Sequence, residues 1–281
     1  MKLTKMGAEI YIPDGKDLPE ALTRTTMLAI AAHQDDIELM AHDGILKCFG
    51  KKDAWFSAVV VTDGKGSPRD DLYAEYTDDQ MRQVRKLEQK KAALIGEYAA
   101  QFLLDFGSSE VKDPNNVEVV SELKEILLNT RPEVVYTHNL ADKHDTHVAT
   151  ALKTIRAIRE LPVQDRPERL YGCEVWRNLD WVNDDEKVVF DLSAHENLAA
   201  ALLGVFDSQI CGGKRYDLAI MGRRRANATF YASHGTDQAT SLSYAMDLSP
   251  LIKEEMDVAE LVNKYIQNFA KDVAERLRRF T

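Results

Sequence analysis

Short apolar runs alternate along the chain with longer segments in which apolar residues return every three or four positions. The runs at 27–32, 54–62, 102–106 and 134–137 predict buried strands, rich in β-branched and small residues. Between them, 39–49 closed by Gly50, 77–96 behind a Thr77 or Asp cap, the set Val119, Val120, Leu123, Ile126 and Leu127, and the set Val148, Ala151, Leu152, Ile155 and Ile158 carry helical periodicity. Strands alternating with helices, each connection long enough for a right-handed crossover, imply an α/β fold. The expected architecture is Rossmann-like and doubly wound, a mostly parallel sheet flanked by helices on both faces. No GxGxxG follows the first strand, so a dinucleotide is not implied.

Further on, 170–176 and 187–190 predict strands, and 193–205 a helix capped by Ser193. The segment 251–280 places Val258, Val262, Tyr265, Ile266, Phe269, Val273 and Leu277 at helical spacing. Such a face packs against the body or meets another subunit. The 281 residues, 44% of them hydrophobic, hold no Pro, Gly or Ser-rich linker and no repeat, which gives one domain, 1–281.

Charge and cysteine usage narrow the class. A net charge of −10 argues against a nucleic-acid surface. The three cysteines, Cys48, Cys173 and Cys211, form no CxxC pair and suit a reducing compartment. No run is long enough to span a membrane, and the first residues lack the apolar region of a signal peptide, so a cytoplasmic protein is expected.

The chemistry concentrates where strands end. The first run stops at Ala32-His33-Gln34-Asp35-Asp36-Ile37-Glu38, one histidine and three carboxylates. Ligands of open α/β sheets sit beyond the carboxyl ends of strands, and His with Asp at close spacing suits a zinc-type metal. A polar loop with Asp35 or Asp36 as N-cap explains the same residues. The second run ends in Thr62-Asp63-Gly64-Lys65-Gly66, a turn pattern without the GxxxxGK[ST] of a phosphate loop. On the helix 77–96, Arg85 and Glu88 share a face and can form a surface ion pair.

The fourth run opens onto His138 and then Asp142-Lys143-His144-Asp145-Thr146-His147, which places three of the seven histidines together. His144 and His147 share one face at the start of a helix. A helix N-terminus disfavours a cationic imidazole, whereas a neutral imidazole on a metal suffers no such penalty. His42 and His195 read as packing or surface residues, and His138 stands between the two readings. His234 and Arg223-Arg224-Arg225 form a solvated face or a cover for an anionic substrate. Cys211-Gly212-Gly213-Lys214-Arg215 reads as a flexible turn.

These motifs resemble those of a known family. The run from Ala32 to Glu38 resembles the AHPDDxE signature of the LmbE-like, or PIG-L, zinc-dependent N-acetylglucosaminyl deacetylases, with Gln34 in place of Pro. The segment from Lys143 to His147 resembles the family's HPDH pattern in its two histidines, while the residues between them differ. The resemblance implies His33, Asp36 and His147 as ligands of a catalytic Zn2+ with an open position, a donor set that also suits Fe2+. It implies Asp35 as general base on a metal-activated water. His144 would stabilise the oxyanion, and either His144 or Asp35 would be the general acid. Asp142 or Asp145 would hold His144 in its tautomer. The family's TDG-like turn and RxxE helix imply that Asp63 lines the pocket, that Arg85 binds substrate and that Glu88 orients Arg85. Asp207-Ser208-Gln209 resembles a further family pattern with Asp where His can stand.

On that resemblance, 1–160 is the metal-site core and 161–281 supplies substrate selection and oligomerisation, with a homo-oligomer expected. The expected function is removal of an N-acetyl group from an N-acetylglucosamine-type sugar or glycoconjugate, with no nucleic-acid or membrane partner. Two alternatives use the same residues: a non-catalytic metal or sugar-binding protein, impaired by Gln34, Asp145 and Thr146, and an Fe(II) oxygenase. Asp35 is redundant in an oxygenase and has an immediate task in hydrolysis.

Overall fold

Alternate residues of a strand face opposite sides of its sheet. In Met27–Ala31, Leu28 and Ile30 join one apolar cluster while Ala29 and Ala31 join another, so both faces of this strand are covered. This arrangement is seen in a computed structural model that describes residues 1–254 and 256–281. The strands are β1 (Glu9–Tyr11), β2 (Met27–Ala31), β3 (Phe56–Thr62), β4 (Ala100–Phe106), β5 (Val134–His138), β6 (Arg169–Cys173), β7 (Val188–Asp191) and β8 (Leu242–Asp247). They form one eight-stranded sheet in the order β1-β4-β3-β2-β5-β6-β8-β7. The fold is mixed α/β, with helices on both faces. Val119, Leu123, Ile126, Ile155 and Ile158 pack on one side, and Ile37, Ile45, Ala92, Leu198 and Leu202 on the other.

Strands β4, β3, β2, β5 and β6 run parallel. From β2 the chain builds outward through β3 and β4, then returns to add β5 and β6 on the opposite side of β2. The connections leaving β2 and β5 thus part company over adjacent strand ends, which opens a crevice at the sheet's carboxyl edge. The loops carrying His33 and His144 meet there.

Several elements differ from the sequence-based expectation. The sheet is not mostly parallel at its margins: β1 pairs antiparallel with β4, and β8 enters antiparallel between β6 and β7. The helix predicted at 39–49 is two helices, Asp36–Met40 and His42–Cys48, which meet at Ala41. Ser193 does not cap the next helix. Its Oγ bonds Asp191 Oδ1 at 2.5 Å, and Glu196–Gly204 starts after His195 in the left-handed region, φ 53°. The terminal segment divides into Pro250–Lys253 and Val258–Arg278, and Glu255, inside the predicted helix, lies outside the described residues. Leu261 and Tyr265 pack on the body, while Ile266, Phe269, Val273 and Leu277 stay exposed. Among the described residues, no helix is long and apolar enough to cross a membrane.

Candidate metal-centred active site

The segment between β2 and the helix Asp36–Met40 is folded around one carboxylate oxygen. Asp36 Oδ2 accepts the backbone N–H of His33 at 2.8 Å, and it lies 3.1 Å from His33 Nδ1 and 3.3 Å from His147 Nε2. His33 Nδ1 and His147 Nε2 are themselves 3.2 Å apart. Donors at about 2.0–2.1 Å from one tetrahedral ion are separated by roughly 3.3 Å. The three atoms therefore fit a single small divalent cation without rearrangement, and a triangle of three leaves a fourth position open. Burial works against ionising Asp36, but His147 and His138, with hydrogen bonds from His147 and His33, hold it well below the usual carboxylate range.

Two other groupings, His33 with His144 and His147, and Asp36 with His138 and His147, also bring three donor atoms within 4.8 Å of one another. His138 Nε2, however, accepts the backbone N–H of Ala32 at 2.9 Å, so its lone pair is engaged. Its ring stacks on His147 with centroids 3.8 Å apart and forms a wall of the site.

Asp142 also departs from expectation. Its Oδ2 lies 3.4 Å from His147 Nδ1, and it accepts backbone N–H groups of His144 and, at 3.2 Å, Trp176. Asp142 thus orients His147, with which a ligand's second nitrogen is normally occupied, and not the His144 ring. Asp145 is exposed in the first helical turn. Burial lowers the His147 pKa, but the flanking Asp36 and Asp142 carboxylates outweigh it and raise the value to about 9. The pair of carboxylates thus favours positive charge at this point. His144, half-exposed, stands with its ring 4.5 Å from His147 and 5.0 Å from His33, and desolvation with two neighbouring imidazoles pushes it down to about 4.

Asp35 sits beside the triangle in a strained conformation, φ 91° and ψ −37°. Its N–H donates to Gln89 Oε1 at 3.1 Å, and both terminal nitrogens of Arg85 lie 3.4 Å from its Oδ2. Arg85 also donates to the Gln34 carbonyl, so one guanidinium clamps both residues of the turn. Burial raises the Asp35 carboxyl to about 7, with Arg85 opposing and Asp36 adding to the shift. Gln34, where the family has Pro, is fully buried and donates to the Thr62 carbonyl at 3.1 Å. Its amide presses on Gly64, φ 69°, where a Cβ would lie 2.2 Å from Oε1. Only glycine meets both requirements.

Glu88 does not orient Arg85. Both its oxygens are taken by Ser208, from the backbone N–H at 2.7 Å and the hydroxyl at 2.6 Å. Asp207-Ser208-Gln209 is docked by this contact, and Gln209 is presented to the site. The arginine run is split: Arg225 is exposed and pairs with Glu196 at 3.2 Å, while Arg224 turns inward. Arg224 is buried and bonds the Glu38 and Leu39 carbonyls at 2.8 and 3.1 Å, closing the short helix Asp36–Met40 from below. His234 is exposed and away from the cavity.

A cavity of about 520 Å3 opens over the triangle. Its floor holds His33, Asp35 and Asp36, and its walls hold Arg85, Asp63 and His144. Every predicted site residue except the fully buried His147 therefore lines it. Gln209, from the Asp207-Ser208-Gln209 pattern, also lines it, together with residues that the motifs did not indicate, among them Ser108, Lys112, Trp176, Lys214 and Tyr216. A larger cleft, about 910 Å3, between 180–186 and the terminal helix contains none of the predicted site residues.

Residues 28–158 match the family described as PIG-L: GlcNAc-PI de-N-acetylase. Over this stretch the chain is similar to the PIG-L, or LmbE-like, family. The matched span runs from β2 through the helix Asp145–Arg159 and contains the whole donor triangle, whereas Trp176, Lys214 and Tyr216 lie beyond it. No curated protein matches the chain in sequence. Among solved structures, the N,N'-diacetylchitobiose deacetylase of Pyrococcus horikoshii superposes with a TM-score of 0.63 at 16% identity, covering 89% of this chain and 93% of its own. The 4-carboxy-2-hydroxymuconate hydratase GalB of Pseudomonas putida gives 0.61 at 16% identity, over 83% and 99%. The A40926 pseudoaglycone deacetylase gives 0.56 at 16% identity, over 80% and 97%. At these identities the likeness to the three is one of fold.

Proposed function

We propose that this protein is a zinc-dependent hydrolase of the PIG-L kind that removes the N-acetyl group of an N-acetylglucosamine-type sugar or glycoconjugate. The observation that carries the reading is the buried Asp35 carboxylate, clamped by Arg85 beside the His33, Asp36 and His147 triangle at the floor of an open cavity. A cation held by those three residues would supply Lewis acidity toward the amide carbonyl and increase the acidity of a water. Asp35 takes the proton of the attacking water as the C–O bond forms. It returns that proton to nitrogen as the C–N bond breaks, leaving acetate and the free amine.

A carboxyl titrating near neutrality suits both halves of that task. His144 is neutral at the same pH, so it serves as a hydrogen-bond donor to the developing oxyanion and leaves the acid role to Asp35. Arg85 positions Asp35 and borders the substrate space beside it, and Asp63 borders the acyl-sugar space with its carboxylate held by Lys65 at 3.1 Å. The walls from the C-terminal segment select the rest of the substrate.

The test is release of acetate and free amine from a panel of N-acetylglucosaminides after reconstitution with zinc. Metal uptake without product would favour a binding protein. Consumption of a 2-oxo acid with ferrous ion, without acetate, would favour an oxygenase, although that reaction leaves Asp35 and Arg85 unused. Because a hydratase shares the fold, water addition to an unsaturated carboxylate is the control for acetate-free turnover.

A further inference from the structure

The charges lining the cavity do not balance locally. Asp63 is paired with Lys65 at 3.1 Å, Asp35 faces Arg85 at 3.4 Å, and Asp36 is surrounded by imidazoles. Lys112 and Lys214 enter from different elements of the wall, and no carboxylate lies within 4.0 Å of either among the described residues. The protein as a whole carries −10, so two unpaired cations in one cavity stand against the general trend. Lys214 Nζ lies 5.1 Å from the Trp176 ring centroid, and Lys143 approaches the same ring at 5.9 Å. Contact with an aromatic face positions an ammonium without neutralising it. Trp176 is in turn fixed by its N–H to Asp142 and by an edge contact with Tyr216, centroids 6.0 Å apart. The wall is therefore a held aromatic plate with uncompensated cations at its margin.

We infer that this wall is an anion-binding subsite, and that the substrate is an N-acylated sugar bearing a phosphate or carboxylate, with Lys112 and Lys214 receiving the anion and Trp176 the sugar face. This inference rests on the deacetylase reading for the reacting end of the substrate. Unpaired ammonium groups at a cavity wall attract anionic ligands and raise their capture rate.

The experiment compares kcat/KM of the zinc-reconstituted enzyme on N-acetylglucosamine, its 1-phosphate and 6-phosphate, and N-acetylmuramic acid, at low and high salt. At least one anionic sugar should be preferred by about tenfold or more, with the preference shrinking as salt rises. In the variants Lys112→Gln and Lys214→Gln, and in the double variant, the ratio of anionic to neutral kcat/KM should fall toward one, chiefly through KM. The phosphate and carboxylate arms then identify which anion is used. Equal use of neutral and anionic sugars, or a ratio that the double variant leaves unmoved, overturns the subsite while leaving the deacetylase reading intact. If no sugar is hydrolysed, calorimetric binding of glucosamine and glucosamine 6-phosphate decides instead. Tighter binding of the phosphate, lost in the double variant, supports the subsite without the chemistry, and equal or absent binding overturns it.

Discussion

The side-chain carbonyl of Gln89 accepts the backbone N–H of Asp35 at 3.1 Å, at the residue whose φ of 91° aims its carboxylate beside the metal triangle. Gln89 is itself held, its amide nitrogen donating to Glu38 Oε1 at 2.9 Å and Gln101 Oε1 at 3.2 Å. A buried chain of side chains beneath the site thus holds a backbone conformation that costs about 1–3 kcal/mol to keep. Replacing Gln89 with Leu leaves the Asp35 N–H without an acceptor, a loss of about 1–3 kcal/mol. The variant should unfold at lower temperature and lose about tenfold or more in kcat, yet keep its metal, because Asp36 has its own contacts. Melting, turnover and metal content on one preparation check this.

Asp35→Asn keeps the shape of the side chain and removes its basicity. Bound metal should remain near the wild-type level while kcat falls by about 10²–10⁴. Near-normal turnover would remove Asp35 from the mechanism.

Asp142→Asn should weaken metal binding by about 10–100-fold through His147, whose Nδ1 it faces at 3.4 Å. Competition with a chelator measures that change. If Asp142 instead served only His144, affinity would be unaltered and kcat alone would drop.

Glu38 gives a stability prediction with a sign. Burial raises its carboxyl from 4.5 to about 8, against hydrogen bonds from Tyr98 at 2.8 Å and Gln89. A folded-state value above the unfolded one means that its contribution is complete below pH 4.5 and is lost as pH rises toward 8. Relative to Glu38→Gln, the wild type should lose on the order of 1 kcal/mol per pH unit across that window. Denaturant unfolding of both proteins at several pH values reads the difference.

What the sequence made legible was local. The donor set lies in two short motifs at strand ends, and the closeness of His144 to His147 could be placed from spacing, although His144 stands in extended backbone just before the helix Asp145–Arg159. The side-chain partners were not local. Glu88 meets Ser208, Asp142 turns toward His147 and Trp176, and Arg224 reaches the helix at Glu38, pairings that no spacing encodes. Strand β8 was hidden altogether, since Leu242-Ser243-Tyr244-Ala245-Met246-Asp247 is short and interrupted by polar residues, and it gains its place only by pairing with β6 and β7. Lys214 sits in a glycine-rich stretch that reads as a plain turn, and its meaning emerges only once Trp176 is seen beneath it.

The central claim is that His33, Asp36 and His147 hold one catalytic cation. Metal content and acetate release, measured together on wild type and His147→Ala, test it most directly. The account predicts about one divalent ion per chain with acetate release in the wild type, and loss of both in the variant. Stoichiometric metal retained by His147→Ala, or an active wild type that binds none, would contradict it.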